Sequence, residues 1–311
     1  MAAAVQLYDE ANWELITRLN RDLRDSAALM DRSEARYLVD LYYQIQEQRQ
    51  RSASQTRSST DATDPSNTPE PSALTGWLFD QFRILEGDIK RALGVYASSH
   101  IPGIWSQSIH GIGPVISAGL LCHIDVNPWK CHSKKYGDRC SPASPHAGIG
   151  CSHIVVNTAG GVWRFAGLDP TLKWEKKTKR PWNARLKRLA WIIGDSFVKQ
   201  RNSPKDFYGK VYAERKVQEE AKNLAGDFAA QAAESLATKN IKDKDLKATY
   251  EAGRLPAGRL DLRARRYAVK LFLAHYHHVA FEDHFKTLPP KPYVITHLNH
   301  AHYIAPPNWP I

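Results

Sequence analysis

Cysteine is scarce in this chain, with four in 311 residues, all of them between Cys122 and Cys151. So few thiols in one stretch exclude a disulfide-stapled scaffold and point instead to clustered metal ligands. Long apolar runs are missing as well: none reaches the roughly 18 residues that span a bilayer. The first residues lack the basic-then-apolar layout of a secretory signal, so the expectation is a soluble, cytoplasmic protein with no membrane partner, nucleoid-associated if the source is prokaryotic. Acidic charge is in deficit, with 32 Asp and Glu against 43 Lys and Arg and a net charge of +11. That balance points to a polyanionic partner. Hydrophobic residues make up 42% of the chain, enough to bury a core in one or two domains.

The stretch Ile109 to Ile124, IHGIGPVISAGLLCHI, has the layout of a helix-hairpin-helix. Gly111 and Gly113 can adopt positive φ and admit an anion close to the backbone. Ile112 between them can plug the gap between two helices, and Pro114 suits a first helical position. Val115, Ile116, Leu120 and Leu121 then form an inward face. The N–H groups of such a turn offer a phosphate site, with Gly111, Ile112, Gly113 and Val115 as the candidate backbone contacts.

Upstream, apolar residues at helical spacing predict one helix over 5–25 and a second after Asp31 or Ser33, either of which could cap it. Together they form an N-terminal arm over 1–50. Residues 51–74, rich in Ser, Thr, Pro and Asp, read as a flexible linker. From about Ala73 the stripe Trp77, Phe82, Leu85, Ile89 and Leu93 predicts a further helix. It could pair with the preceding helix as an antiparallel hairpin, or helices 5–50 and 75–98 could bind a protein partner or a second copy.

Downstream of the hairpin, residues 122–153 are loop-like and carry Cys131, Cys140, Cys151, His146 and His153. A bound ion would supply stability that this segment's few apolar residues cannot. Structural zinc held by the three cysteines and either His146 or His153 is the expected arrangement, although no Cys-x-x-Cys pair occurs.

A basic and aromatic block follows. Lys173, Lys176, Lys177, Lys179, Arg180, Arg185, Lys187 and Arg188 are opposed by Glu175 alone, with Trp174, Trp182 and Trp191 among them. Cations interleaved with aromatics suit phosphate neutralisation together with stacking by Trp174 or Trp182. A helix over 184–198 should bury Leu186, Leu189, Trp191, Ile192, Ile193 and Phe197. Further helix is predicted over 206–222, with short surface helices over 223–259. A long helix over 260–285 carries Tyr267, Val269, Leu271, Phe272 and Tyr276 as core candidates, and its histidines read as structural. The Pro-rich tail, 286–311, reads as extended and wrapped over the domain or a partner.

The order GIGPVISAGLL, RFAGLDP, KKTKRPWNARLKRLAWIIGDSF and LRARRYAVKLFLAHYHH resembles the C-terminal region of insertion-sequence transposases that join a RuvC-like nuclease domain to a helix-hairpin-helix domain. Bridge-RNA-guided recombinases belong to that family. The likeness covers residues 75–285, interrupted at 122–153 and again at about 213–258. It implies a mainly α domain that grips nucleic acid, DNA first and RNA second. The family's acidic metal ligands are not matched by the short helical N-terminal segment. Its serine after AGL-x-P is replaced here by Thr171 and Thr178, and Ser196 matches no family position. The expectation is therefore a transposase-related binding protein. Two alternatives stand beside it. One is an active recombinase or nuclease using Thr178 or Ser196, the only case that calls for magnesium. The other is an assembly factor that works through its helical hairpin and tail.

Overall fold

A computed structural model describes residues 21–60, 73–131, 140–141, 143, 151–153, 158–290 and 303–310. The protein is mainly helical, with eleven helices and one two-stranded antiparallel sheet among the described residues. It divides into two compact units: residues 1–107 with 113–124, and residues 108–112 with 125–311. The helix expected over 5–25 lies mostly outside the described residues.

The first unit contains α1 (Arg21–Ala28), α2 (Arg32–Thr60), α3 (Ala73–Ser98), α4 (Ile101–Ser108) and α5 (Pro114–His123). Asp31 caps α2: its carboxylate accepts from the N–H groups of Ser33 and Glu34, while Glu34 accepts back from the Asp31 N–H at 3.1 Å. This reciprocal capping satisfies donors that the first helical turn would otherwise orphan. The helix then continues through residues 51–60, which the composition had assigned to a linker; residues 61–72 lie outside the described residues.

α2 and α3 run antiparallel. Glu86 accepts from Gln46 at 3.1 Å and from Arg49, while the early α2 residues lie towards Tyr96 at the other end of α3. Between the helices Val39, Tyr42, Ile45, Ile89, Leu93 and Tyr96 pack with Val115, Ala118 and Leu121 of α5. The arm and the second helix of the hairpin therefore share one core. Arg36 completes the end of α5 by donating to the Cys122 carbonyl at 2.8 Å, where a helix presents unpaired carbonyls and partial negative charge.

The second unit contains β1 (Trp129–Cys131), β2 (Cys151–His153), α6 (Ala159–Phe165), α7 (Ala184–Gln200), α8 (Tyr208–Leu224), α9 (Ala229–Thr238), α10 (Lys244–Glu251) and α11 (Ala257–Phe285). α11 is its mast, with α6, α7 and α8 all packed along it. Phe197, Tyr208 and Phe272 form an aromatic knot: Phe197 stacks on Tyr208 at 4.9 Å, and Phe272 meets both edge-on. Gly194 lets α7 approach α11, since a Cβ there would lie 3.2 Å from Val269. Glu219 of α8, 1% exposed, ties α8 to α11 through Arg263 at 2.5 Å and is bridged along its own helix by Arg215. α9, α10 and the start of α11 share a satellite core of Phe228, Ala232, Tyr250, Leu255 and Leu260.

Two core assignments from the apolar pattern are overturned: Trp191 is 60% exposed and Tyr267 is 41% exposed. The other apolar residues of α7 show where the buried face points, with Leu186, Leu189, Ile193 and Phe197 buried. Among the described residues of the tail, 303–310 lie along α11. Ile304 accepts from His275 at 2.8 Å, and the Trp309 indole donates to Glu282 at 2.8 Å.

Candidate nucleic-acid interface and metal centre

The basic block is built on two consecutive turns. After α6 the chain reverses at Gly167, whose φ of +66° is left-handed. A Cβ there would sit 2.9 Å from both Lys187 Cδ and Trp182 Cγ, so the glycine lets the AGLDP turn close onto the start of α7. The Asn183 N–H bonds back to the Phe165 carbonyl at 2.9 Å, and the Asn183 side chain caps α7 by accepting from the N–H groups of Arg185 and Leu186. The second turn spans Glu175 to Thr178. Lys177 adopts φ +70°, the Thr178 hydroxyl donates to the Glu175 carbonyl at 2.8 Å, and the Trp174 indole N–H donates to the Thr178 carbonyl at 2.9 Å. Lys176 and Lys177 are thereby held out at its tip. Lys173, Lys176, Lys177, Lys179, Arg180, Arg185 and Arg188 are all exposed.

Three tryptophans carry a cation on one face. Arg180 lies over Trp174 at 5.1 Å, Lys187 over Trp182 at 4.1 Å, and Lys270 over Trp163 at 5.0 Å. Such pairs hold a long side chain in one place. The Trp163 indole also donates to the Lys270 carbonyl at 2.7 Å, fixing α6 against α11. Partial burial, and then the charge of Arg266, push the Lys187 and Lys270 ammoniums below the usual lysine range. Arg266 and Lys270 did not emerge from the block composition, because α11 flanks it only in space. The sequence signal that could have found the pair on α11 is its spacing of four, which puts two cations on one helical face.

The hairpin turn presents a different picture. Gly111 has φ +87° and Ile112 is buried, as the sequence implies. Yet a Cβ on Gly111 would meet Ser196 Oγ at 2.9 Å and Gln200 Cγ at 3.2 Å, while the Ser196 hydroxyl donates to the Gly111 carbonyl at 2.6 Å. The space that glycine leaves here is taken up by α7. Gly113, in contrast, has nothing within 4 Å of its missing Cβ; it caps α5 with ordinary extended backbone, and Val115 is buried in the first unit. Neither candidate nucleophile has an activating partner among the described residues: Ser196 and Thr178 both donate to backbone carbonyls.

The three cysteines expected to bind metal do come together. Pairing of β1 with β2 sets Cys131 opposite Cys151. Cys140 Sγ lies 3.3 Å from Cys151 Sγ, which in turn lies 3.5 Å from Cys131 Sγ, and all three sulfurs fall within 4.8 Å of one another. These separations exceed a disulfide bond of about 2.05 Å and approach the edge, about 3.8 Å, of a tetrahedron with metal–sulfur bonds of about 2.3 Å. The cluster could hold a metal ion. Burial, then hydrogen bonding with Cys140 and Cys131, pushes the Cys151 thiol up to about 12. Cys122 is buried in the core around α5. His153 lies on β2, with its backbone paired to Trp129, and His146 lies outside the described residues.

No helix among the described residues is long and apolar enough to cross a membrane. Compared with known proteins, the chain matches no family model, no curated protein and no solved structure. The chemistry of the site therefore rests on its own geometry.

Proposed function

We propose that this protein binds nucleic acid, DNA first and RNA second, through the basic face of its second unit, as a transposase-related factor. The observation that carries this reading is the display of Lys and Arg on tight turns and on tryptophan faces, with Glu175 the one acidic residue in the run from Lys173 to Arg188. Phosphate neutralisation is the chemistry such a surface performs best. The cysteine cluster fits structural zinc, with His146 or His153 as the fourth ligand, pinning the loop beside β1 and β2. The order of the hairpin, the AGLDP turn and the Arg-rich helix supports the link to transposases.

Titration of labelled duplex DNA and of a structured RNA over a salt series tests the reading. Affinity should fall with salt at a slope of about 0.9 for each duplex phosphate neutralised. Binding that ignores salt, or no binding to either ligand, would overturn it. Neutralising Lys176, Lys177, Lys179 and Arg180 together should shallow the slope while leaving the thermal midpoint unchanged.

A further inference from the structure

One short run of α11 carries four basic side chains with two different fates. Arg263 is engaged by Glu219 at 2.5 Å, and Arg265 by Asp261 at 2.7 Å and Asp195 at 3.5 Å. Arg266 and Lys270, one turn apart and further along the helix, form no ion pair among the described residues. Lys187 of α7, across from them, forms none either. The start of α7 is tied to the end of α6 by the Asn183 N–H bond to the Phe165 carbonyl at 2.9 Å, and α6 is tied to α11 at Lys270 by the Trp163 indole at 2.7 Å. Lys187 and the Arg266–Lys270 pair are thus gathered around α6, where Arg266 bears electrostatically on both lysines. The carboxylate that opposes Lys270 is Asp169, and it already accepts from the Thr171 N–H at 2.9 Å and hydroxyl at 2.7 Å. Two lysine ammoniums are held in place on indole faces, Lys187 on Trp182 and Lys270 on Trp163. Like charges gathered from two helices and fixed in position repel one another unless an anion joins them. A phosphate offers several acceptor oxygens and matches both ammonium and guanidinium donors.

Resting on the nucleic-acid reading above, we propose that Lys187, Arg266 and Lys270 form one seat for a strand phosphate, with Trp163 and Trp182 serving as rests for the lysines rather than as stacking platforms for bases. Contact at this seat is then indifferent to base identity. The exposed turn from Glu175 to Thr178 adds diffuse attraction, whereas the seat fixes where the strand lies.

The test uses the full chain and a short fluorescein-labelled single strand, alongside a strand of equal length made abasic at its centre and a duplex. Arg266→Ala with Lys270→Ala should weaken binding about tenfold or more, the loss of two charge-assisted contacts. The single-strand salt slope should drop by about 0.7 for each phosphate contact removed. The charge-keeping pair Arg266→Lys with Lys270→Arg should restore most of the affinity, and the abasic strand should bind the native protein about as well as the intact one. Unchanged affinity and slope in the alanine pair, or collapse of binding to the abasic strand, would overturn the seat. If the alanine pair does not fold, Lys187→Ala, a truncation at an exposed side chain, decides on the same two readouts. Failure of the native protein to bind any strand removes the parent reading instead, so the two failures are distinct.

Discussion

The Tyr208 hydroxyl lies 2.7 Å from His275 Nδ1, and the opposite ring nitrogen, Nε2, lies 2.8 Å from the Ile304 carbonyl. A carbonyl only accepts, so Nε2 carries the proton and Nδ1 takes the proton of the tyrosine. The ring is thus a neutral link between the aromatic knot and residues 303–310. Burial, against a weaker upward pull from Ile304, pushes His275 down to about 4, with neighbouring His278 adding to the lowering.

A pH dependence follows. Between about 4 and 6.5 the unfolded chain binds a proton at this position that the folded chain refuses, so stability rises with pH across that window. The contribution is complete above 6.5 and is lost as pH falls, the loss reaching about 3 kcal/mol below pH 4. Urea unfolding at stepped pH should show this slope in the native protein and a shallower one in His275→Gln.

Glu219 gives a second expected outcome. Removing it leaves Arg215 and Arg263 facing each other across a site where Glu219 itself was 1% exposed. Glu219→Ala should cost about 3 kcal/mol in urea unfolding, because a broken buried pair leaves uncompensated charge. Glu219→Gln, which keeps hydrogen-bond acceptors and shape, should cost less.

The two glycines of the hairpin turn should part company. Gly111→Ala forces a side chain into left-handed backbone and against Ser196, and should destabilise by about 1–3 kcal/mol. Gly113→Ala meets open space and ordinary φ, so its cost is limited to a poorer helix cap, about 1 kcal/mol or less. Thermal unfolding of the two variants should show a clear drop in midpoint for Gly111→Ala and little change for Gly113→Ala.

Zinc content offers a fourth check. Elemental analysis should find about one zinc per chain, and Cys140→Ser should bring it below half. Helical circular dichroism should barely change on chelation, since the three sulfurs sit on the short sheet and its loop and not on the helices. A stoichiometry near zero in protein purified without chelator would count against the metal.

Much of the helical plan could be read from apolar spacing, and so could the cysteine trio, because ligands crowded into one loop have few other uses. Failures arose where tertiary neighbours decide. Trp191 lies on a helix whose buried face is already filled by Leu189, Ile193 and Phe197, leaving it to solvent. Gly111 reads from sequence as an opening for an anion, and only the position of Ser196 shows that space filled. Arg266 and Lys270 escaped notice because an Arg-rich helix does not announce which of its cations are already matched. That distinction depends on where Glu219, Asp195 and Asp261 fall in space.

Arg263 and Arg265 lie about 200° apart around α11, each towards a different carboxylate, and Arg266 falls in the gap between them. Each residue advances the helix by about 100°, so inserting a single residue between Asp261 and Arg263 would rotate everything after it. The side chains that bind Glu219 and Asp195 would trade angular position with neighbours that have no carboxylate to meet. Such an insertion would damage folding and strand binding in one step, whereas any single substitution in the run should damage mainly one of them.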